Sequence, residues 1–503
     1  MSRGRWLGEL LVARKGGAMP GPAKREMRFE RRMSDAEAMM WNVEKDPWLS
    51  SNIGTVTILD RPVDFDAFRC RIAHAVADIP RLRERVVPGL ARLAPPTWEP
   101  DPEFRLDYHV RKVAVPDPGS ERQLFDLAVL LLQDPLDRSR PLWQFFAVEG
   151  LEGERGALVT KLHHTVADGK GAVRLAEAYM EVSRDAPLPP DVDLDAVTAA
   201  AVTERSAERG ADASRSLARS ALHVGGHALR RQLGIGRRAL GGVALALADP
   251  ARLLEAGGNV VKTVRSARAQ IDVGEPSGGS PLWRTRSRHR HFEALSLPFA
   301  VAKRASASLG GSLNDFFVTG AVIAGVRYHE KLGAPVETFN VSFIVSTRQD
   351  RAAGGNSFTP TKIEVPAGPM DAAGRFAAIR AALGQRRGDI TGQGPIAAVA
   401  GIANLLPTSV MARVARSQAG KIDFATSNVR AAPFELYMSG AKVLAPYPIG
   451  PVAGTAWNVT LMSYNDTLYL GVHLDPVAVA EPDLLRRCLE EGLEELLVAG
   501  GGS

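Results

Sequence analysis

Cysteine is almost absent from this sequence. Its 503 residues hold two, Cys70 and Cys488. One pair cannot staple a chain this long, and neither cysteine has a second cysteine or a histidine at metal-ligand spacing. A disulfide framework and a zinc ribbon are therefore excluded, and a reducing compartment is expected. No run approaches the ~18 apolar residues of a membrane-spanning helix. The apolar stretch from Leu7 to Ala13 is broken by Glu9, which leaves no hydrophobic region for a signal peptide. G-x-S-x-G is missing, which argues against a hydrolase elbow. There is no P-loop, and Gly234-Ile235-Gly236 lacks the third glycine and the βαβ setting of a dinucleotide site.

What is present is ordinary globular composition, with 45% hydrophobic and 23% charged residues. At ~100–200 residues per domain, two to three domains are expected. The net charge of +6 is unevenly placed. Residues 1–32 carry nine basic and three acidic side chains, and residues 203–271 carry twelve and five. The remainder is net acidic, so the positive balance belongs to two appendages. Between Ala213 and Ala248 there are six arginines and no acid. Leu222, Leu229, Leu233 and Leu240 share one helix face there, with Arg219, Arg230, Arg231, Arg237 and Arg238 to one side. That is the pattern of a helix on an anionic membrane surface. A linker helix with solvated arginines is the alternative, and Gly225, Gly226, Gly234 and Gly236 weaken either helix. The basic stretches lack interleaved aromatics, so nucleic-acid binding is disfavoured.

Strands and helices alternate in both halves. Ser34 is an N-cap for a helix over Asp35–Val43. Strands are expected at Ile53–Leu59, around Tyr108–Val115, at Trp143–Val148 and at Ala157–Leu162, with helices at Asp64–Val76, Glu121–Leu132 and Lys170–Ser183. A Pro- and Asp-rich break follows near 186–195, and a second break spans 274–281. Beyond it, helices are expected at Val301–Ser308, Asn314–Leu332, Ala372–Leu383, Ile396–Ala415 and Leu484–Leu497. Strands are expected at Phe339–Ser346 and Lys362–Val365, and a hairpin pairs Trp457–Met462 with Leu468–Leu474.

One segment carries chemistry: His163-His164-Thr165-Val166-Ala167-Asp168-Gly169. It follows a strand-like run and precedes a helix. A neutral imidazole at a strand end is a good general base near neutral pH. Asp168 would fold back to fix the loop and would need a cationic partner if buried. Gly169 permits a backbone conformation that other residues resist.

HHTVADG resembles the HHxxxDG signature of CoA-dependent acyltransferases, a superfamily that includes chloramphenicol acetyltransferases and peptide-synthetase condensation domains. Further segments are similar to those of bacterial wax ester synthase/acyl-CoA:diacylglycerol acyltransferases. These are Pro141-Leu142-Trp143 with Gly150-Leu151, Ser312-Leu313-Asn314-Asp315, Thr426-Ser427-Asn428-Val429, and Asn458-Val459-Thr460 with Ser463-Tyr464. The resemblance runs from about Met33 to the C-terminus. It departs where the family's SNVPGP reads Ser-Asn-Val-Arg-Ala-Ala-Pro over 427–433.

The resemblance implies an α/β (α+β two-layer) fold of two chloramphenicol-acetyltransferase-like domains with a tunnel at their interface. The chain then divides into a basic tail (1–32), an N-terminal domain (33–190), an Ala/Arg/Gly-rich connector (191–280) and a C-terminal domain (281–503). It implies transfer of a long-chain acyl group from acyl-CoA, a co-substrate, to diacylglycerol or a fatty alcohol, with no cofactor and no metal. His164 would be the base, with His163 and Asp168 supporting it. Gly169, Asn314, Ser427 and Asn428 would meet the substrates, and Arg348 would pair with Asp168. Asp315 supports the same helix start, and Asn314-Asp315 can equally be read as a plain helix cap. Trp143 reads as core packing. The expected setting is cytoplasmic, peripheral on the plasma membrane or on lipid droplets. A carrier-protein condensation enzyme and a catalytically silent lipid-binding protein are the competing readings.

Overall fold

The computed structural model describes residues 29–89, 95–167, 169–209, 279–346, 358–389 and 408–501. The expectations for the basic tail before residue 29, the arginine-rich insert, Asp168, Arg348 and the stretch 396–407 lie outside these residues.

The first half runs α1 (Asp35–Val43), β1 (Asn52–Leu59), α2 (Phe65–Asp78), β2 (Glu84–Val87), β3 (Thr97–Pro100), the one-turn α3 (Leu106–His109), β4 (Val110–Ala114), α4 (Glu121–Gln133), β5 (Trp143–Leu151), β6 (Arg155–His163) and α5 (Gly169–Ala176). The second runs β7 (His291–Pro298), α6 (Phe299–Ser308), α7 (Leu313–Lys331), β8 (Thr338–Ser346), β9 (Phe358–Pro366), α8 (Ala372–Asp389), α9 (Thr408–Gly420), β10 (Phe424–Arg430), β11 (Tyr437–Met438), β12 (Ala441–Ile449), β13 (Trp457–Tyr464), β14 (Thr467–Leu474) and α10 (Pro482–Ala499). No single described helix is long and apolar enough to cross a membrane.

Local chemistry accounts for many of these boundaries. Ser34 accepts from Glu37 N–H while the Glu37 carboxylate accepts from Ser34 N–H, a complete capping box on α1. Ser120 with Gln123, and Ser312 with Asp315, do the same for α4 and α7. Pro482 opens α10 at a position where no N–H is needed. The hairpin of β13 and β14 turns at Asn465 and Asp466, both with positive φ, a conformation that these side chains tolerate.

Two six-stranded sheets result, ordered β11-β12-β1-β6-β5-β4 and β7-β14-β13-β10-β8-β9. The division between them does not follow the chain. Strands β11 and β12 leave the second half and join the first sheet, where β12 pairs antiparallel with β1 from Gly54↔Ile449 to Leu59↔Val443. Pro446 and Pro448 kept this strand out of the sequence reading. They stand at alternate positions, so both missing N–H groups face away from β1, the side a strand can leave unpaired. The hydroxyls of Tyr464 on β13 and Tyr469 on β14 donate to Val443 O and Leu444 O of this segment. The α5 helix is also shorter than expected: after Ala176 the chain turns, and Glu181 bridges to Tyr437 of β11.

Helix α4 seals the two units together. Its Leu124, Phe125 and Ala128 share one core with Val56 and Val159 of the first sheet and Phe292 of β7. Phe125 meets Phe292 edge-on at 5.3 Å, and Arg122 Nη1 lies 2.7 Å from Glu293.

Candidate active site

Strand β6 ends at His163, opposite Asn52 of β1. The backbone beyond is held residue by residue. His163 N–H donates to Leu142 O (3.0 Å), His164 N–H to Ser51 O (3.1 Å), and Val166 N–H to His163 O (2.9 Å). Both histidines are buried.

The two ring nitrogens of His163 are both engaged. Thr165 N–H donates to Nδ1 at 3.1 Å, and the Thr165 hydroxyl lies 2.7 Å from the same atom. A ring that accepts at Nδ1 while neutral carries its proton on Nε2. That nitrogen faces the Glu44 carboxylate, to which it donates. Burial pushes the His163 pKa down to about 3, helped by the Arg138 and His164 charges. Burial pushes Glu44 up to about 7, against the Ser51 N–H, Arg138 and Ser50. The Arg138 guanidinium lies 3.4 Å from the Trp41 ring centroid, and its Nη2 donates to Trp41 O at 2.6 Å. Trp41 in turn meets His163 edge-on. Beside Trp41 opens a cleft of about 510 Å³, lined by Lys45, Arg85 and Arg138 together with Val86, Pro88 and Pro96.

Lys161, two residues before His163, is buried and caps the end of α4. Its Nζ donates to Leu131 O (2.7 Å) and Asp134 O (2.6 Å), with Asn52 Nδ2 donating to Leu132 O (3.2 Å). A cation is favoured at a helix C-terminus, although burial lowers its pKa to about 8. The strand that delivers the histidines is thereby tied to the helix that joins the two units.

Gly169 meets the second unit. A Cβ placed on it would lie 2.9 Å from Val429 Cγ2 on β10. Its φ is not in the left-handed region, so the expected reason for this glycine is corrected. What it supplies is room for the start of α5 to approach β10. That strand pairs in parallel with β13 over all seven residues but with β8 only at Phe424–Thr426. Ser427 and Asn428 therefore lie beyond the last β8 pairing, Ser427 half-buried and Asn428 exposed, next to the residue that touches Gly169. Asp315 is a cap: its Oδ2 accepts from Ser312 N–H (2.8 Å) and Oγ–H (2.7 Å). Asn314, beside it in the first turn of α7, is half-buried. Trp143 is core, fully buried with its indole N–H on Leu82 O at 2.7 Å. Among the described residues no group of three or more His, Cys, Asp or Glu could hold a metal ion.

The wax ester synthase/diacylglycerol acyltransferase catalytic domain matches residues 33–317, and the C-terminal domain of the same family matches 354–497. The chain belongs to the wax ester synthase/diacylglycerol acyltransferase family. It is an acyltransferase. A Mycobacterium tuberculosis H37Rv protein named as a diacylglycerol O-acyltransferase is 34% identical over 477 residues, covering 94% of this chain and 93% of its own. Another, tgs1 of the same strain, is 26% identical over 464 residues, covering 90% and 92%. The wax ester synthase/diacylglycerol acyltransferase from Marinobacter aquaeolei VT8 has a similar fold, with a TM-score of 0.61 at 19% identity over 94% of this chain and all of that one. The first condensation domain of the calcium-dependent antibiotic synthetase also shares the fold (TM-score 0.57, 17% identity, 94% and 97% covered).

Within this wax ester synthase/diacylglycerol acyltransferase chain, the sequence reading missed Glu44, Ser51, Trp41 and Arg138. Glu44 meets His163 across 119 positions of chain, so no local spacing links them. The available hint was a lone carboxylate at the end of α1, where the helix dipole disfavours an anion.

Proposed function

We propose that this protein transfers a long-chain acyl group from acyl-CoA to the hydroxyl of diacylglycerol, a fatty alcohol or both, with His164 as general base. The observation that carries the assignment is the engagement of His163. Thr165 occupies its Nδ1 and Glu44 its Nε2, so proton transfer falls to the neighbouring His164. The imidazole takes the proton of the acceptor hydroxyl as that oxygen attacks the thioester carbon. A tetrahedral oxyanion forms and collapses, expelling the CoA thiolate, which takes the proton back from His164. The products are an ester and free CoA, and no further cofactor enters.

The place of the loop supports this reading. Gly169 puts it against β10, so donor and acceptor would approach His164 from opposite sides of the seam between the units. Holding both beside one base converts a bimolecular step into a local one. Ser427, Asn428 and the β10 backbone beyond Thr426 are the candidates to stabilise the oxyanion. The cations lining the cleft beside Trp41 suit an anionic donor such as acyl-CoA.

The test is His164→Ala, assayed by thiol release from palmitoyl-CoA with hexadecanol or dioleoylglycerol as acceptor. Loss of turnover in a folded protein is expected, and retained turnover removes the base assignment. Contact of the basic tail and insert with anionic lipid is a separate part of the proposal. Liposome binding that survives both deletion of 1–32 and neutralisation of the insert arginines would refute it.

A further inference from the structure

We infer that Glu44 is a positioning residue for the acyl-transfer base: its carboxylate closes a ring of hydrogen bonds through Ser51, His164 and His163 that fixes where His164 stands. The inference rests on His164 being the base.

The ring can be followed atom by atom. Glu44 is the C-cap of α1, the residue at which the chain leaves the helix. Its Oε1 accepts from Ser51 N–H at 2.6 Å. The carbonyl of that same Ser51 accepts from His164 N–H at 3.1 Å. His164 is bonded to His163, whose Nε2–H returns to Glu44 Oε2. One carboxylate thus grips the backbone that holds His164 on one side and the ring preceding His164 on the other.

The chemistry of the ring requires a carboxylate. The groups that hydrogen-bond to Glu44 are all donors: the Ser51 backbone N–H, the His163 imidazole N–H and the Ser50 hydroxyl. A carboxylate offers two acceptor oxygens, whereas an amide offers one acceptor and one NH₂. The imidazole cannot adapt by moving its proton to Nδ1, because Thr165 N–H already donates there. A glutamine at 44 would therefore give up either Ser51 or His163 while filling nearly the same volume. Arg138, from the loop after α4, is the cation beside the carboxylate, held in place over Trp41. The Glu44 side chain is 11% exposed, so water cannot readily replace a lost partner.

The experiment uses the full chain with three variants: Glu44→Gln, Glu44→Asp and His164→Ala. Steady-state thiol release is measured with palmitoyl-CoA and hexadecanol, alongside thermal unfolding. The ¹⁵N shifts of the His163 ring are read by NMR on histidine-labelled protein and assigned with a His163 variant. Misplacement of a reacting group by ~1 Å can cost about 100-fold in rate. Glu44→Gln is expected to lose kcat on that scale, far beyond what any fall in the unfolding midpoint accounts for at the assay temperature, with KM for palmitoyl-CoA unchanged. The His163 shifts should move from those of a pure Nε2–H tautomer. Glu44→Asp, which keeps both acceptor oxygens, should recover part of the kcat. If Glu44→Gln keeps wild-type kcat while His164→Ala is inactive, the inference fails and the base assignment stands. It also fails if the Glu44→Gln loss only tracks the unfolded fraction and the His163 tautomer is unchanged. Turnover by His164→Ala overturns the base assignment and this inference with it.

Discussion

Adding one methyl group at Gly169 should disable the site from a position that need not touch substrate. The Cβ of alanine would stand 2.9 Å from Val429 Cγ2. Carbon atoms pack best at about 3.5–4.0 Å, so the start of α5 and β10 must part by roughly 0.6–1.1 Å if Val429 stays in place. Val429 is β-branched and stiff at χ1. Overpacking of this kind costs about 1–3 kcal/mol, and Gly→Ala returns about 0.4–1 kcal/mol through the unfolded chain. A net loss of up to about 2.6 kcal/mol is expected for Gly169→Ala in urea denaturation. The same parting moves the histidine loop relative to β10, so kcat for thiol release should fall by about 100-fold. The decisive variant is Gly169→Ala combined with Val429→Ala, which removes both γ-methyls and should restore most of the stability and rate. Wild-type behaviour of Gly169→Ala would refute the contact. A rate loss that Val429→Ala does not relieve would refute its role in setting the site.

Two further outcomes follow from buried charge. His109 lies between Phe104 and Trp143, at ring distances of 5.1 and 4.5 Å, and burial pushes its pKa down to about 4. The unfolded chain takes up that proton from about pH 6.5 downward and the folded protein only near 4, so stability drains away across this window. One such ring accounts for up to about 3 kcal/mol, and His329 and His473, also lowered to about 4, act in the same direction. His109→Phe should flatten the pH dependence of unfolding between 6.5 and 4 by about one proton; an unchanged slope removes the argument. Glu181 and Arg71 form a buried ion pair, and Glu181 also accepts from Ser439 N–H at 3.1 Å beside β11. Glu181→Ala should cost about 3–5 kcal/mol, because it strands a buried guanidinium. A loss below about 1 kcal/mol in chemical denaturation would show that the pair is dispensable.

Legibility in the sequence tracks how local each determinant is. The α1 helix could be read to the residue, because Ser34 and Glu37 lie three positions apart and cap it reciprocally. The β13–β14 hairpin was readable for the same reason, with Asn465-Asp466 at its turn. Strand β12 was not, since Pro446 and Pro448 look like breakers until the partner strand shows which edge they face. Strand β10 was visible only as a motif: half of it pairs on one side alone, and the face buried at Phe424 and Thr426 is exposed at Asn428 and Arg430, so no apolar face runs its full length. The histidine pair stood out through its own spacing, but the contacts that hold it did not. The partner of His163 is Glu44, which the fold brings to it from the end of a distant helix.

The crossing of β11 and β12 also decides how the molecule could be taken apart. A cut within the insert would leave an N-terminal fragment whose β1, buried at Val56 and Ile58, has lost the strand that covers its edge. Bare edges of that kind seek another strand. The matching strand sits on the C-terminal fragment, anchored through Tyr464 and Tyr469. The two pieces would be complementary fragments that need co-expression, and a protease nick in the insert would leave one particle.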